Sequence, residues 1–326
     1  MRMRILFYLY LLITVLLISG PAGAQQVKKL PRIGYLAGDP KAPSHEAFRQ
    51  GLRDLGYIEG RNILIEWRFA EDKVDRYSEF ASELVRLKAD VIVAANSGAV
   101  GALKRSTQTI PIVMEAYGGD PVADGIVASF AKPGGNITGM MPLDPELSGK
   151  QLELLKETLG KLHLLGVLWN PNDSGSRVQW QQTQTSAKEQ GIQLFSREVR
   201  TSGELEKAVE TATHEHVAAL LVLRNPLFYV LRNRIAALAE KHRLAGMYPS
   251  SDFVEGGGLM SYGSNNKAQY RRAATFVDKI LKGAKPGNLP LEAPRNFELV
   301  INLKTAKQIG VTIPQSVVYR ADRVIR

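Results

Sequence analysis

The stretch VIVAANSG, residues 91–98, decides the fold class of this chain. Its first five residues, Val91–Ala95, are all apolar without a polar alternation, which is typical of a strand buried on both faces of a parallel sheet. The next three residues, Asn96, Ser97 and Gly98, form a polar turn before a segment predicted as a helix over Gly98–Thr107. A strand that leads through a polar turn into a helix is the repeating unit of an α/β fold.

The same alternation continues on both sides of this stretch. In the first part of the chain it predicts strands at Arg32–Ala37, Ile63–Phe69 and Ile110–Met114, with helices at Ser44–Leu55 and Val74–Leu87. It then starts again, with strands at Leu164–Leu168, Ile192–Val199, Ala218–Leu223, Ala245–Tyr248 and Phe297–Asn302, and helices at Ser174–Gln190, Ser202–His214, Leu227–His242 and Lys267–Leu281. Two successive units predict two doubly wound parallel-sheet lobes.

The lobes are expected to exchange segments through three crossings. Residues 30–140 plus about 265–288 are assigned to lobe 1, and residues 141–262 plus about 295–326 to lobe 2. The predicted links are Met141–Pro145, Tyr262–Asn266 and Gly287–Pro294. Three such links would suit a hinge, in which a few residues absorb a closing motion.

The N-terminus has the pattern of an export signal. Arg2 and Arg4 precede the apolar run Ile5–Ser19, and Ala22-Gly23-Ala24 supplies the small residues of a cleavage site. A transmembrane anchor is the alternative, but the run is shorter than the roughly 20 residues that span a bilayer. We therefore expect residues 1–24 to be removed and the mature chain to be periplasmic; with no cysteine, no lipid anchor is expected.

The composition argues against several classes of protein. With no cysteine there is no thiol nucleophile and no thiolate metal site. The net charge of +10 comes from single basic residues along the chain, without an arginine-rich arm, so a nucleic-acid partner is not expected. His214-Glu215-His216 has a spacing that separates the two rings, and no third metal ligand is evident. We expect neither a metal, nor a cofactor, nor an enzyme; no G-x-S-x-G nucleophile elbow is present.

In parallel α/β sheets, ligands bind outside the carboxyl ends of the strands. The loops at these predicted ends run over Gly38–Ser44, Asn96–Gly98, Tyr117–Pro121, Asn170–Ser174, Arg224–Pro226, Tyr248–Asp252 and Tyr262–Asn265, and they are rich in Asn, Ser, Asp and Tyr. Such side chains orient a polar solute while aromatic rings enclose its apolar part.

Several segments along the chain resemble a known family. They are Phe48–Leu52, Leu55–Tyr57, Glu59–Asn62, Thr109–Val113, Gly119–Val122, Pro133–Gly139, Gly257–Gly263 and Phe297–Asn302. In this order and spacing they resemble the tryptophan/tyrosine-type substrate-binding proteins of ABC transporters, which have the type I periplasmic-binding-protein fold. The resemblance implies a monomer that captures a small amino acid or organic acid and delivers it to an ABC permease. A sensing clamshell that serves a receptor kinase is the alternative function.

The expected ligand contacts come from both lobes. They are Asn96, Ser97, Gly98, Tyr117 and Asp120 on the first lobe, and Asn170, Arg224, Asn225, Tyr248, Asp252 and Tyr262 on the second.

Three of these residues have alternative interpretations. Ser97 could bind a carboxylate at a helix N-terminus or serve only as the helix cap. Asp120 precedes a proline, so a turn-capping role is favoured over an ammonium contact. Arg224 faces either the cleft or solvent; facing the cleft, it would favour an organic acid. His45 and Trp169 are further possible contacts, whereas Trp180 is expected to pack in the core.

Overall fold

Two sheets form the framework of the computed structural model. The structure describes residues 29–42, 44–71, 73, 75–141, 147–294 and 297–326. The predicted signal segment, the helix start at Val74 and most of the link Met141–Pro145 lie outside these residues. Pro31–Arg326 belong to one compact unit. Among the described helices, none has both the length and the apolar character needed to cross a membrane.

The first sheet is parallel throughout. Its strands are β1 (Arg32–Ala37), β2 (Leu64–Phe69), β3 (Val91–Ala94), β4 (Ile112–Met114) and β5 (Ile137–Gly139), in the order β2-β1-β3-β4-β5. Ile33 and Tyr35 face one hydrophobic cluster, and Leu36 faces the cluster on the opposite side. Because both faces are buried, the central strands are apolar without alternation, as residues 91–95 predicted.

The second sheet repeats this order and extends it. Its strands are β6 (Leu164–Trp169), β7 (Gln193–Glu198), β8 (Ala219–Val222), β9 (Ala245–Tyr248), β10 (Met260–Ser264), β11 (Phe297–Asn302) and β12 (Arg323–Ile325). The run β7-β6-β8-β9-β10 matches the first sheet position for position, and β11 and β12 follow at the edge. Only β11 joins its neighbour β10 antiparallel among the described pairings. The predicted class, α/β with two parallel-sheet lobes, is confirmed.

Helices cover both faces of each sheet. In chain order they are α1 (Ser44–Asp54), α2 (Asp75–Arg86), α3 (Ser97–Ser106), α4 (Leu147–Leu159), α5 (Ser174–Gln190), α6 (Leu205–His214), α7 (Pro226–Val230), α8 (Arg232–Lys241), α9 (Ser251–Glu255), α10 (Asn266–Leu281), α11 (Leu303–Ile309) and α12 (Gln315–Tyr319). On the first sheet, α1 and α10 bury one face, and α2 and α3 bury the other.

Some elements differ from the sequence-based prediction. The single helix predicted over Leu227–His242 is two helices, because Leu231 leaves the helical backbone with ψ of 6° between α7 and α8. Tyr262, predicted in a link, lies within β10. The pattern also missed β10, β12, α4, α9, α11 and α12. Most of these elements are too short for a hydrophobic period to register.

The chain passes between the sheets three times. Met141 leaves the first sheet, and its N–H donates to the Glu292 carbonyl at 3.0 Å. After β10 the chain returns as α10, which packs on α1, and it stays with the first sheet as far as Glu292, which bridges Met140. It then enters the second sheet as β11. The helix α10 is therefore far in sequence from the sheet that it covers.

The contact between α1 and α10 is close because Gly51 lacks a side chain. A Cβ at this position would lie 2.7 Å from the Arg271 carbonyl oxygen. We expect Gly51→Val to lower the free energy of unfolding by about 1–3 kcal/mol, the usual cost of overpacking a close contact. Gly101→Val is the matched control, since a Cβ there meets only the Arg105 guanidinium at 3.5 Å. Equal urea midpoints for the two variants would contradict the prediction.

Candidate functional site

A cleft lies where the carboxyl ends of the two parallel sheets face each other. Its volume is about 840 Å³, including the mouth that opens to solvent. The first sheet lines it with the loops that follow β1, β3 and β4, and the second sheet lines it with the loops that follow β6, β8 and β9. This is the edge that the topology of doubly wound sheets assigns to ligands.

The turn after β3 places Asn96 and Ser97 at the start of α3, and both line the cleft. Asn96, not Ser97, is the helix cap: its Oδ1 accepts from the Ala99 N–H at 2.9 Å, and its Nδ2 donates to the Tyr77 hydroxyl. Ser97 is the first helical residue, and its Oγ accepts from the Gly118 N–H at 3.1 Å. The predicted helix start at Gly98 is therefore one residue late, and Gly98 itself is not among the lining residues.

Arg224 and Asn225 line the opposite wall. The Asn225 Oδ1 accepts from the Leu227 N–H and so caps α7, whose first residue is Pro226. The Arg224 N–H donates to Gln179, and its guanidinium donates to the Ser264 Oγ at 3.1 Å. Of the two positions weighed for Arg224, the structure has the cleft-facing one. Among the described residues, no carboxylate lies within 4.0 Å of its guanidinium.

A second arginine in the cleft is neutralised. Arg232 lies 2.7 Å from the Asp39 carboxylate, and both side chains are largely buried, at 17% and 15% exposure. The two residues belong to opposite sheets, so this ion pair spans the cleft. Asp173 also lines the cleft; it caps α5 by accepting from the Ser176 N–H, and burial raises its pKa. The Arg224 guanidinium is thus the cleft's cation that has no carboxylate partner among the described residues.

The other side of the cleft is apolar and aromatic. Tyr229, Val230 and Pro226 come from α7, and Tyr270 comes from α10. Burial raises the pKa of Tyr270, so its hydroxyl stays neutral. Asp252, predicted for the site, lies on this cleft as well. The cleft therefore combines a cation, a carboxylate and ring surfaces within one enclosed space.

A row of buried, hydrogen-bonded polar side chains lies behind the wall that the first sheet contributes to the cleft. The Glu115 Oε2 lies 2.6 Å from the Tyr35 hydroxyl, and this hydroxyl lies 3.2 Å from the His45 Nδ1. Burial raises the pKa of Glu115 well above its ordinary range and lowers the pKa of His45. His45 reaches the surface of the cleft, which the sequence had left open.

Other predicted residues are not among those that line the cleft. Tyr117 is buried and donates to the Asp124 Oδ2 at 2.6 Å. The Asp120 Oδ1 accepts from the N–H groups of Val122 and Ala123, which is the turn-capping role. The Asn170 Oδ1 accepts from the Asn172 N–H, Tyr248 stacks on Phe253, and Tyr262 stacks on Phe297.

The two tryptophans that were considered pack against each other. The rings of Trp169 and Trp180 stack at 5.2 Å, and the Trp169 Nε1 donates to the Ser196 Oγ. Neither ring is among the lining residues. Trp180 therefore packs as expected, whereas Trp169 has its partner within its own lobe.

Several residues that line the cleft carry no distinguishing signal in the sequence. Asp39 and Asp173 lie in loops that the strand-end rule selected, but nothing singled them out within those loops. Tyr229 and Arg232 were hidden in the segment predicted as one helix. Tyr270 lies on a helix from a later part of the chain, and no local pattern could have assigned it to this cleft.

The two walls touch beside the cleft through glycines. A Cβ on Gly175, in the first turn of α5, would lie 2.4 Å from the carbonyl group of Gly118 on the first sheet's loop. A Cβ on Gly119 would lie 2.8 Å from the Ser174 Oγ. The two lobes therefore approach to backbone contact at this point, and a side chain would hold them apart.

Comparison with known proteins gives a family and close structures. A family model described as ABC transporter substrate binding protein matches residues 34–325. A tyrosine-binding protein from Clostridioides difficile (strain R20291) is 27% identical over 266 residues, which span 82% of this chain and 76% of the relative.

Two solved structures match along most of the chain. A conserved domain protein from Vibrio cholerae O1 biovar El Tor is 28% identical, with a TM-score of 0.84 over 91% of this chain and 100% of that one. An ABC domain in complex with L-Trp from Streptococcus pneumonia is 25% identical, with a TM-score of 0.83 and the same two coverages. More distant periplasmic binding proteins share the fold alone, which confirms the predicted type I fold.

The buried Glu115 carboxyl predicts a pH-dependent stability. Because burial raises its pKa above 4.5, the folded chain keeps a proton that the unfolded chain loses. The stability that the neutral carboxyl contributes is complete below pH 4.5, the ordinary pKa of the unfolded chain. It is lost as the pH rises toward the higher pKa of the folded chain. We expect the unfolding free energy of the wild type to fall with rising pH relative to Glu115→Gln. Denaturant titrations across the acidic to neutral range that run parallel for both proteins would contradict this.

The glycine contact predicts a variant that stays folded but opens. In Gly175→Ala the new methyl group collides with Gly118 of the opposite wall, which can move away because it belongs to the other lobe. We expect a larger radius of gyration by X-ray scattering, with the unfolding free energy within about 1 kcal/mol of the wild type. Gly203→Ala, where a Cβ meets nothing within 4 Å, should leave both quantities unchanged.

Proposed function

Because this chain belongs to the family of ABC transporter substrate binding proteins, we propose that it is the extracytoplasmic solute-binding component of an ABC importer. The proposed solute is an amino acid or another small carboxylate-bearing compound held in the cleft between the two sheets. The observation that carries the choice of solute is Arg224, whose guanidinium lines the cleft without a carboxylate partner among the described residues.

An unbalanced guanidinium in an enclosed site favours an anionic group. Arg232 is paired with Asp39, so its charge is already compensated. Arg224 lines the cleft, and a guanidinium can donate two parallel hydrogen bonds to a carboxylate. The N-terminus of α3, with Asn96 and Ser97, adds a positive dipole end on the facing wall. Both features support recognition of a carboxylate.

The remaining surfaces of the cleft support an aromatic amino acid. Tyr229 and Tyr270 offer rings against which an apolar or aromatic side chain can pack. Asp252 supplies a negative charge on the same wall, suited to an α-ammonium group. The names of two similar proteins, one tyrosine-binding and one solved with L-Trp, support the same solute class.

The proposed role involves binding without chemical change of the solute. Among the described residues, no cluster of three or more His, Asp or Glu side chains could hold a metal ion. Closure of the two lobes would bury the solute and create a surface for a membrane permease. In this proposal the signal segment is removed, and the mature protein acts as a periplasmic monomer.

The experiment is a thermal-shift screen of L-tyrosine, L-tryptophan and small dicarboxylates on the mature protein. A ligand present at one hundred times its Kd should add about 2.7 kcal/mol of stability. Tyramine, which has the tyrosine ring without the carboxylate, should give no shift. A carboxylate-free analogue that stabilises the protein as well as L-tyrosine would contradict the proposed role of Arg224.

The matched variants test Arg224 directly. Arg224→Ala should weaken binding of the carboxylate ligand roughly 10- to 100-fold, since hydrogen bonds to charged groups contribute about 1.5–3 kcal/mol. Arg234→Ala removes an arginine on the outer surface that pairs with Glu206, and it should leave affinity unchanged. Calorimetric titration of the wild type and both variants measures the difference.

A further inference from the structure

We propose that His45 is a positioning residue for closure of the cleft: it holds the backbone carbonyl of Asp39 so that the Asp39 carboxylate can pair with Arg232 of the opposite sheet. The inference rests on the proposed function, since closure over a solute is the process that this ion pair would serve. It concerns the geometry between the lobes and not the contacts to the solute.

Every oxygen of Asp39 has a partner. Oδ1 accepts from the Lys41 N–H at 2.8 Å, and Oδ2 accepts from the Arg232 Nη1 at 2.7 Å. The carbonyl oxygen lies 2.6 Å from the His45 Nε2, with a longer contact of 3.4 Å from the Ala42 N–H. Since a carbonyl oxygen only accepts, His45 donates through Nε2. Without the His45 Nε2 donor, the backbone of Asp39 is free to move, and the Asp39 carboxylate moves with it.

The hydrogen bonds of Tyr35 and Glu115 behind His45 determine which ring nitrogen of His45 carries the proton. The Tyr35 hydroxyl has one proton but lies within hydrogen-bond distance of both the Glu115 Oε2 and the His45 Nδ1. These contacts are all hydrogen bonds when neutral Glu115 donates through Oε2 to Tyr35, Tyr35 donates to the His45 Nδ1, and His45 donates through Nε2. The Glu115 Oε1 remains without a partner among the described residues. Burial favours this order, because it raises the pKa of Glu115 and lowers the pKa of His45.

The His45 ring is also held in place by its aromatic neighbours. It lies edge-on to Tyr35 with centroids 5.3 Å apart, and it packs against Phe69 at 5.1 Å. A ring fixed on both sides keeps Nε2 directed at the loop after β1. His45 therefore transmits the rigidity of the first lobe's core to Asp39.

The Asp39–Arg232 pair joins residues of the two lobes across the cleft. Arg232 Nη1 also donates to the Tyr229 carbonyl at 2.7 Å, which orients the guanidinium from its own lobe. Because both partners are mostly buried, solvent screens their attraction less than that of a surface pair. Both partners are protein side chains, so the contribution of the pair to closure can be measured with no solute added.

Two substitutions at His45 distinguish the role of the Nε2 donor from that of the rest of the side chain. The amide of His45→Gln reaches the position of Nε2 and can still donate to the Asp39 carbonyl. The shorter His45→Asn reaches only the position of Nδ1, so it keeps a partner for Tyr35 and loses the bond to Asp39. His163→Asn, at an exposed histidine, is the control for the substitution itself.

Closure is measured by the distance between spin labels on the two lobes. The chain contains no cysteine, so Gln108→Cys and Lys207→Cys, both at exposed positions, can be labelled uniquely. We expect the ligand-free protein to show a short-distance population whose ratio to the long one falls about tenfold in His45→Asn. The ratio should stay within about threefold of the unsubstituted protein in His45→Gln.

A double-mutant cycle with Arg232→Gln tests whether His45 acts through the ion pair. If it does, His45→Asn should cause no further opening once Arg232 is replaced. Additive effects, equal behaviour of the Asn and Gln variants, or a ligand-free protein without a short-distance population would each overturn the inference.

The same labelled protein keeps this inference distinct from the proposed function. If L-tyrosine, L-tryptophan and the small dicarboxylates all leave the distances and the melting temperature unchanged, the proposed solute class is wrong. The ligand-free cycle still decides the role of His45, because it requires no ligand. If a probe closes the protein and His45→Asn closes as fully as the wild type, the inference alone is wrong.

Discussion

Parallel strands deliver all their carboxyl-end loops to one edge of a sheet, and in this molecule two such edges face each other. Five strands of each sheet follow the order 2-1-3-4-5, so the chain leaves β1 and β3, and likewise β6 and β8, toward opposite faces. A crevice forms between neighbouring strands whose following segments turn to opposite faces of the sheet. Loops at this crevice can reach a ligand without disturbing the core. Asp39, Asn96, Asp173 and Arg224 all owe their positions to this arrangement.

Charge compensation then determines what the cleft can recognise. Asp39 and Arg232 satisfy each other across the two lobes, and Asp173 is engaged as a helix cap. Arg224 is left with only a hydroxyl partner for its guanidinium among the described residues. A partly buried guanidinium favours a ligand that completes its hydrogen bonds. Because Arg232 is already paired, Arg224 is the arginine to which the proposed specificity is assigned.

Close approach of backbones accounts for how the lobes meet. Gly175 lets the first turn of α5 touch Gly118, where a methyl group on residue 175 would not fit. Gly51 does the same for α10, which returns from β10 of the second sheet to pack on the first. That return brings Tyr270 to the cleft. The two lobes are thus joined by chain crossings, by an ion pair and by a glycine contact.

The sequence by itself determined the fold class, since the apolar stretch 91–95 and the repeated strand–helix pattern depend only on local burial. It also identified the loops that bear the site, because strand ends can be located from hydrophobic periodicity. It could not assign roles within those loops: Asn96 proved to be the cap in place of Ser97, and Tyr117, Asn170 and Tyr248 have partners within the protein. Only the tertiary structure decided that Arg224 faces the cleft and that Asp39 meets Arg232. Asp39 and Arg232 are 193 positions apart in the sequence. Local sequence patterns therefore hold no information about which charged side chains will pair.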